Sequence, residues 1–136
     1  MRTPFYRGTD ICLLVFALDD KSSFNSLSLW RQEFLHYADI QDPHNFPFII
    51  LGNKVDLADR RQVGEDESRQ WCLYHGGLPY YNTSAKDDIN VEQVFKEAVQ
   101  QWVKRENDLD AEMKAKENIF QVEDKKQGRN RHRSCC

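Results

Sequence analysis

Phe46-Pro-Phe-Ile-Ile-Leu-Gly-Asn-Lys-Val-Asp56 is an apolar run that ends in a cluster of polar side chains. Phe48, Ile49, Ile50 and Leu51 are unbroken apolar and partly β-branched, the pattern of a strand buried on both faces of a parallel sheet. Gly52 is expected to let the backbone turn. Asn53, Lys54 and Asp56 then sit at the strand's carboxyl end, where open α/β sheets bind ligands. A carboxylate accepts two parallel hydrogen bonds from the adjacent N–H groups of guanine, and adenine offers no such donor pair, so Asp56 is expected to select the base. Asn53 carries a donor and an acceptor and can brace the loop or touch the purine edge. Lys54 can lay its methylene stem along a base face while its ammonium stays in water.

A second polar corner, Ser84-Ala85-Lys86, follows another strand-like run, Pro79-Tyr80-Tyr81-Asn82-Thr83. Asn-Lys-x-Asp at 53–56 resembles the guanine-recognition motif of the Ras-like small GTPases, and Ser-Ala-Lys at 84–86 resembles the loop that in the same family closes over the guanine through backbone N–H groups. Order and spacing, each at a strand end, agree with that family.

Working outward from these motifs, residues 11–18 form a second continuous apolar run, read as another fully buried parallel strand and stopped by Asp19-Asp20. Asp20 or Ser22 can cap the helix that follows, whose Phe24, Leu27, Trp30, Phe34 and Tyr37 recur at helical spacing on one apolar face. Residues 64–75 read as a shorter helix with Trp71, Cys72 and Tyr74 along its buried edge, ended by Gly76-Gly77 in the left-handed conformation. Asn90 with Gln93 resembles a capping box, and Val91, Val94, Phe95, Ala98, Val99, Trp102 and Val103 predict an amphipathic helix. Strand, helix, strand, helix, strand, helix with right-handed crossovers implies an α/β fold of three parallel strands, the first two helices on one face. The last helix must then cover the other face, or the strands remain half exposed there. Beyond Glu106 the apolar pattern thins, which predicts a frayed helical extension and a disordered tail. The expected organisation is therefore residues 1–105 as the carboxyl-terminal portion of a small-GTPase domain and 106–136 as a basic, hypervariable, lipidated tail.

The resemblance implies a three-layer, P-loop-NTPase-like fold that is incomplete here. A Gly-rich phosphate loop, a magnesium-binding switch threonine and an Asp-x-x-Gly-Gln element belong to the family pattern, and the glycines at 8, 52, 64, 76, 77 and 128 form none of them. The chain resembles a GTP hydrolase without its phosphate-handling groups, so hydrolysis is not expected of it. GTP or GDP is the implied cofactor, with Mg²⁺ expected only in the intact family fold. Arg2-Thr-Pro-Phe-Tyr-Arg-Gly8 resembles the end of the second switch region of the Rab branch. Together with Asp19-Asp20 and Phe46-Pro-Phe48 it looks most like the Rab group acting between late endosomes and the trans-Golgi.

The chain ends in Cys135-Cys136. This matches a Rab ending in which each thiol receives a geranylgeranyl chain, and two lipid chains anchor stably where one anchors marginally. Lys125, Lys126, Arg129, Arg131 and Arg133 could add about 1 kcal/mol each beside an anionic leaflet. Removing those five charges from the net −3 of the 136 residues leaves about −8 on the remainder, which argues against a nucleic-acid partner. Cys12 and Cys72 read as reduced core thiols. No run is long and apolar enough for a membrane span, and residues 1–4 do not begin a signal peptide. The expected location is the cytosol and the cytoplasmic side of endosomal and Golgi membranes. By resemblance, the partners are Rab effectors, exchange and activating factors, escort protein and GDP-dissociation inhibitor. The alternative reading is a non-catalytic interaction fragment that competes for those partners. Neither H-E-x-x-H nor G-x-S-x-G occurs, and the histidines at 36, 44, 75 and 132 have no metal-ligand spacing.

Overall fold

The computed structural model describes the backbone of residues 3–130 and the side chains of residues 4–120. After a 3-10 turn at Thr3–Phe5 come β1 (Cys12–Ala17), α1 (Lys21–Asn25), α2 (Leu27–Tyr37), β2 (Phe48–Asn53), a 3-10 turn at Ala58–Arg60, α3 (Glu65–Tyr74), β3 (Tyr80–Asn82) and α4 (Val91–Asn130). The three strands form one parallel sheet in the order β1-β2-β3, with Cys12 opposite Phe48, Ala17 opposite Asn53, and Ile50 opposite Tyr80. The longest apolar run, residues 11–18, thus lies at one edge, and the run at 48–51 in the centre. Among the described residues, the outer edge of β1 has no strand partner.

The core lies on one face of the sheet. Leu14 and Phe16 from β1 and Phe48 and Ile50 from β2 pack with Phe24 of α1, Leu27 and Phe34 of α2, and Cys72 of α3. Aromatic edges fill this layer: Phe34 meets Phe48 at 5.6 Å and Phe46 at 5.2 Å between centroids, and Tyr6 packs on Phe34 from the amino-terminal turn. Burial pushes the Cys12 and Cys72 thiols up to about 11, so both are protonated, inert packing groups at neutral pH.

The first helical stretch is two helices rather than the continuous one the periodicity predicts. Ser22, Ser23, Asn25 and Ser26 are weak helix formers, of residue types that compete for nearby backbone groups, as the Ser23 hydroxyl does in donating to the Asp20 carbonyl at 2.7 Å. The Ser26 hydroxyl donates to the Ser22 carbonyl at 2.9 Å, and the helix breaks at that residue. Asp20 caps α1: its carboxylate accepts from the Ser22 amide at 2.9 Å and the Ser23 amide at 3.4 Å. The Ser22 hydroxyl, donating at 2.7 Å, contributes most to holding the Asp20 carboxyl below the ordinary carboxylate range. A carboxyl whose folded pKa is lowered stabilises the fold above its unfolded value, near pH 4, and loses that contribution as pH falls through the folded value. Asp20→Ala should therefore lower the melting temperature at about pH 7, and the gap to the parent should narrow as pH falls below about 4. Melts followed by circular dichroism across that range measure this.

Two expectations about the helices are corrected. In α3, Cys72 is buried but Tyr74 is 87% exposed, because it lies off the stripe that carries Ser68 and Cys72 inward. In α4, only Val94 of the apolar stripe is buried, while Phe95 and Val99 are each 58% exposed and Trp102 is also open. The second face of the sheet is therefore only partly covered. Ile49 is fully buried there, and Tyr81 donates to Glu97 of α4 at 3.4 Å, but Val15 in the edge strand is 56% exposed. The reading of β1 as a strand buried on both faces is likewise corrected. Its unbroken apolar sequence is that of a strand with a layer on each side, and the described residues supply one layer in full.

Two compact units are distinguished, Met1–Trp102 and a second starting at Val103. The described part of the second is helical to Asn130, without the fraying expected after Glu106. Residues 106–120 hold Glu, Lys and Ala at several positions, with acid–base spacings of four such as Asp110 and Lys114 or Glu112 and Lys116. Propensity and charge pairing favour a helix without a buried face. No described helix is long and apolar enough to cross a membrane.

Candidate functional site

The site is built where β2 and β3 end side by side. Gly52 lies inside β2, opposite Phe16 and Asn82. It serves by lacking a side chain and not by turning the chain, since a Cβ there would stand 2.6 Å from the Tyr80 hydroxyl, 2.8 Å from Leu18 Cδ2 and 3.1 Å from Phe16 Cζ. The turn is made two residues later by Lys54, whose φ of +69° is in the left-handed region. A non-glycine residue there costs of order 1 kcal/mol and persists only where its surroundings fix it. Val55 N–H donates to the Thr83 carbonyl at 3.0 Å, and Leu57 N–H to the Lys54 carbonyl at 3.0 Å, which supply that fixation.

The polar side chains tie the two corners together. Asn53 Oδ1 accepts from the Thr83 hydroxyl at 3.2 Å and from the Ala85 amide at 3.1 Å. Ser84 Oγ donates to Asp56 Oδ1 at 2.7 Å and accepts from the Asp87 amide at 3.0 Å. Ser84 is fully buried, and its own amide and carbonyl pair with Ile89 at 3.1 and 2.9 Å. Residues 84–89 are thereby closed into a short loop pinned from below by Asn53 and Asp56. Ala85 and Lys86 are exposed at its crest. With the Ala85 and Asp87 amides engaged, the Lys86 N–H is an amide of this loop with no partner among the described residues.

Lys54 Nζ lies 3.3 Å from Asp19 Oδ1, at the turn after β1. All six residues singled out from sequence, Asn53, Lys54, Asp56, Ser84, Ala85 and Lys86, therefore meet at one end of the sheet. Two more belong with them, Thr83 and Asp19. A strand ending in adjacent hydroxyls, Thr83-Ser84, was the available signal for the first. For the second no local signal exists, because the contact spans 35 residues.

Chemically, the assembly offers an acceptor edge at Asp56, a flat aliphatic stem at Lys54 and a free amide at Lys86. A planar ligand with paired N–H donors matches that set. The cavities found elsewhere, about 550 Å³ beside Arg7, His36 and Asp39 and about 360 Å³ beside Arg69, Cys72 and Tyr80, have no such set of groups. Among the described residues, no three His, Cys, Asp or Glu side chains converge as a cation site. The Mg²⁺ implied by the resemblance has no such cluster to hold it among them. Cys135, Cys136, Arg131 and Arg133 lie outside the described residues, as does Arg2.

A family model described as the Ras family matches residues 1–104. The chain is 54% identical over 110 residues to the Ras-related protein Rab-9B of Homo sapiens, an alignment covering 81% of this chain and 54% of that protein. To the Ras-related protein Rab-9A of Homo sapiens it is 51% identical over the same length and shares. To the Ras-related protein Rab-7b of Paramecium octaurelia it is 39% identical over 132 residues, covering 97% of this chain and 63% of that protein. The chain spans about half the length of the Rab-9 relatives it matches.

Proposed function

Because the chain belongs to the Ras family of small GTPases, on its Rab branch, we propose that it reads the guanine base of GDP or GTP as part of a vesicle-traffic switch. Asp56 accepts from the base's paired N–H groups, Lys54 lies along one face of the ring, and Asn53 with Ser84 fixes the loop that carries Ala85 and Lys86 over it. The observation that carries this reading is the pair of bonds Ser84–Asp56 and Asn53–Ala85, which make one rigid site from two loops about 30 residues apart in sequence. Asp56 keeps its second oxygen for ligand, and a carboxylate has lone pairs enough for both roles.

The same reading places residues 1–105 as the carboxyl-terminal portion of the GTPase domain and 106–136 as its tail. Cys135 and Cys136 are the lipid acceptors, and the membrane served is that between late endosomes and the trans-Golgi, in keeping with the Rab-9 likeness. Effectors, exchange and activating factors, escort protein and GDP-dissociation inhibitor are the proposed partners. Hydrolysis is not assigned to these residues, since phosphoryl transfer rests on groups that position and neutralise the phosphates. Base contacts alone give a dissociation constant on the order of millimolar, roughly −4 kcal/mol. Titration of the whole chain with GDP and with ADP, followed by amide NMR shifts, should show GDP binding about tenfold tighter or more. Equal binding of the two would reject the reading.

One observation favours the second reading, a non-catalytic interaction fragment. Val15, Phe95, Val99 and Trp102 are apolar and exposed, and the outer edge of β1 is open among the described residues. Such a surface suits protein contacts. A fragment of that kind would bind GDP and ADP alike.

A further inference from the structure

We infer that Asp19 is a positioning residue for the base-reading lysine, holding Lys54 in the direction in which its stem can lie against a purine; this rests on the guanine reading above. Asp19 is fixed from the backbone outward. The Leu18 amide donates to the Asn53 carbonyl at 2.9 Å, and the Leu18 carbonyl accepts from the Gln62 and Val63 amides at 2.8 and 3.2 Å. The residue after Leu18 is therefore held beside the Asn53-Lys54 corner, and its side chain is only 19% exposed.

The neighbouring carboxylates have other tasks. Asp20 caps α1, and Asp56 takes the Ser84 hydroxyl. Asp19 faces Lys54 with both oxygens, at 3.3 Å from Oδ1 and 3.5 Å from Oδ2. Oδ1 is buried and receives no hydrogen bond of good geometry, so its contact with the ammonium is one of charge. A buried carboxylate oxygen compensated, among the described residues, by one lysine is costly to leave unpaired.

Lysine side chains carry a large rotamer entropy, which a ligand must overcome when it packs against one. Here the stem is constrained at both ends, by the left-handed backbone at Lys54 and by the Asp19 carboxylate at the ammonium. The constraint exists before any base arrives. Asp19 itself touches no ligand and acts through Lys54.

The test uses the whole chain with GDP as probe, titrated by amide NMR shifts, with a thermal melt recorded for every variant. Asp19→Asn should weaken GDP about fivefold, the scale of a partly exposed ion pair, and Asp19→Glu should recover part of the loss. In a Lys54→Gln background, Asp19→Asn should change GDP affinity by less than about twofold. An Asp19→Asn loss of the same size with and without Lys54 would overturn the inference, since Asp19 would then be acting on the turn and not on the lysine. An Asp19→Asn variant that binds GDP like the parent, while Asp56→Asn is impaired, overturns the positioning role alone. If Asp56→Asn also binds GDP like the parent, the guanine reading falls and the inference with it.

Discussion

Phe48→Ala should lower the unfolding free energy by about 4 kcal/mol, the largest single effect expected in this chain. Phe48 is almost completely buried at the start of β2, with the Phe34 and Phe46 rings edge-on to it and the Arg31 guanidinium over its face at 5.2 Å. Removing the ring loses the transfer energy of a large apolar group, leaves a cavity, and breaks two aromatic edges that contribute about 0.5 to 1.5 kcal/mol each. The cavity cannot collapse easily. Its walls belong to β1, β2 and α2, and the two strands are held in register by their parallel ladder. Domains of this size have only about 5 to 15 kcal/mol in total, so the variant should lose most of its folded population on mild heating. Urea titration of the parent, Phe48→Ala and Phe48→Leu measures this, with Leu expected to cost less than half as much as Ala. A loss below about 1.5 kcal/mol for Ala would show that the aromatic layer is not the core.

Gly52→Val should destabilise by about 3 kcal/mol for the opposite reason, too much volume where none is free. The first added carbon already falls within contact distance of Tyr80, Leu18 and Phe16, and the Tyr80 ring cannot swing away without losing its hydroxyl bond to Asn82 at 2.6 Å. Gly52→Ala should cost less, because the Leu18 methyl can rotate aside. Both changes act one residue before Asn53, so they should also loosen the corner that Asn53 braces. Urea midpoints give the stability term, and hydrogen exchange at the Ala85 amide gives the local one. Wild-type stability in Gly52→Val would mean that β2 and β3 do not approach as closely as described.

The strands were legible because their signal is local. Residues 11–18 and 48–51 are unbroken apolar runs, and a parallel sheet is the structure that buries such runs. The site residues were legible because short polar motifs stand where those runs stop, and the fold brings both motifs to one end of the sheet. What stayed hidden depends on partners distant in sequence. Periodicity in α4 marks Val94, Phe95, Val99 and Trp102 as one stripe, yet it says nothing about whether a layer lies against that stripe, and only Val94 finds one. Tyr74 misled for the same reason. Gly52 carries two possible meanings in sequence, a turn or a close approach, and only the Tyr80 hydroxyl above it decides between them. The break at Ser26, whose hydroxyl and amide both bond to the Ser22 carbonyl, is a local feature that apolar spacing does not register. The long helix beyond Glu106 rests on propensity and charge pairing, which are weak per residue and tell only when summed. In the sequence Asp19 reads as a strand stop, and its link to Lys54 emerges only from the pairing of β1 with β2.

The central claim is that Asp56 chooses the base, and a base swap at one position tests it most directly. Asp56→Asn replaces an acceptor oxygen with an amide donor. Xanthine carries a carbonyl where guanine carries its amino group, so the variant should favour xanthosine diphosphate while the parent favours GDP. Measured by competition titration on the whole chain, the ratio of GDP to xanthosine diphosphate affinity should fall about a hundredfold or more from parent to variant, the change expected when a paired hydrogen-bond set is inverted. A ratio that does not move on Asp56→Asn would contradict the account.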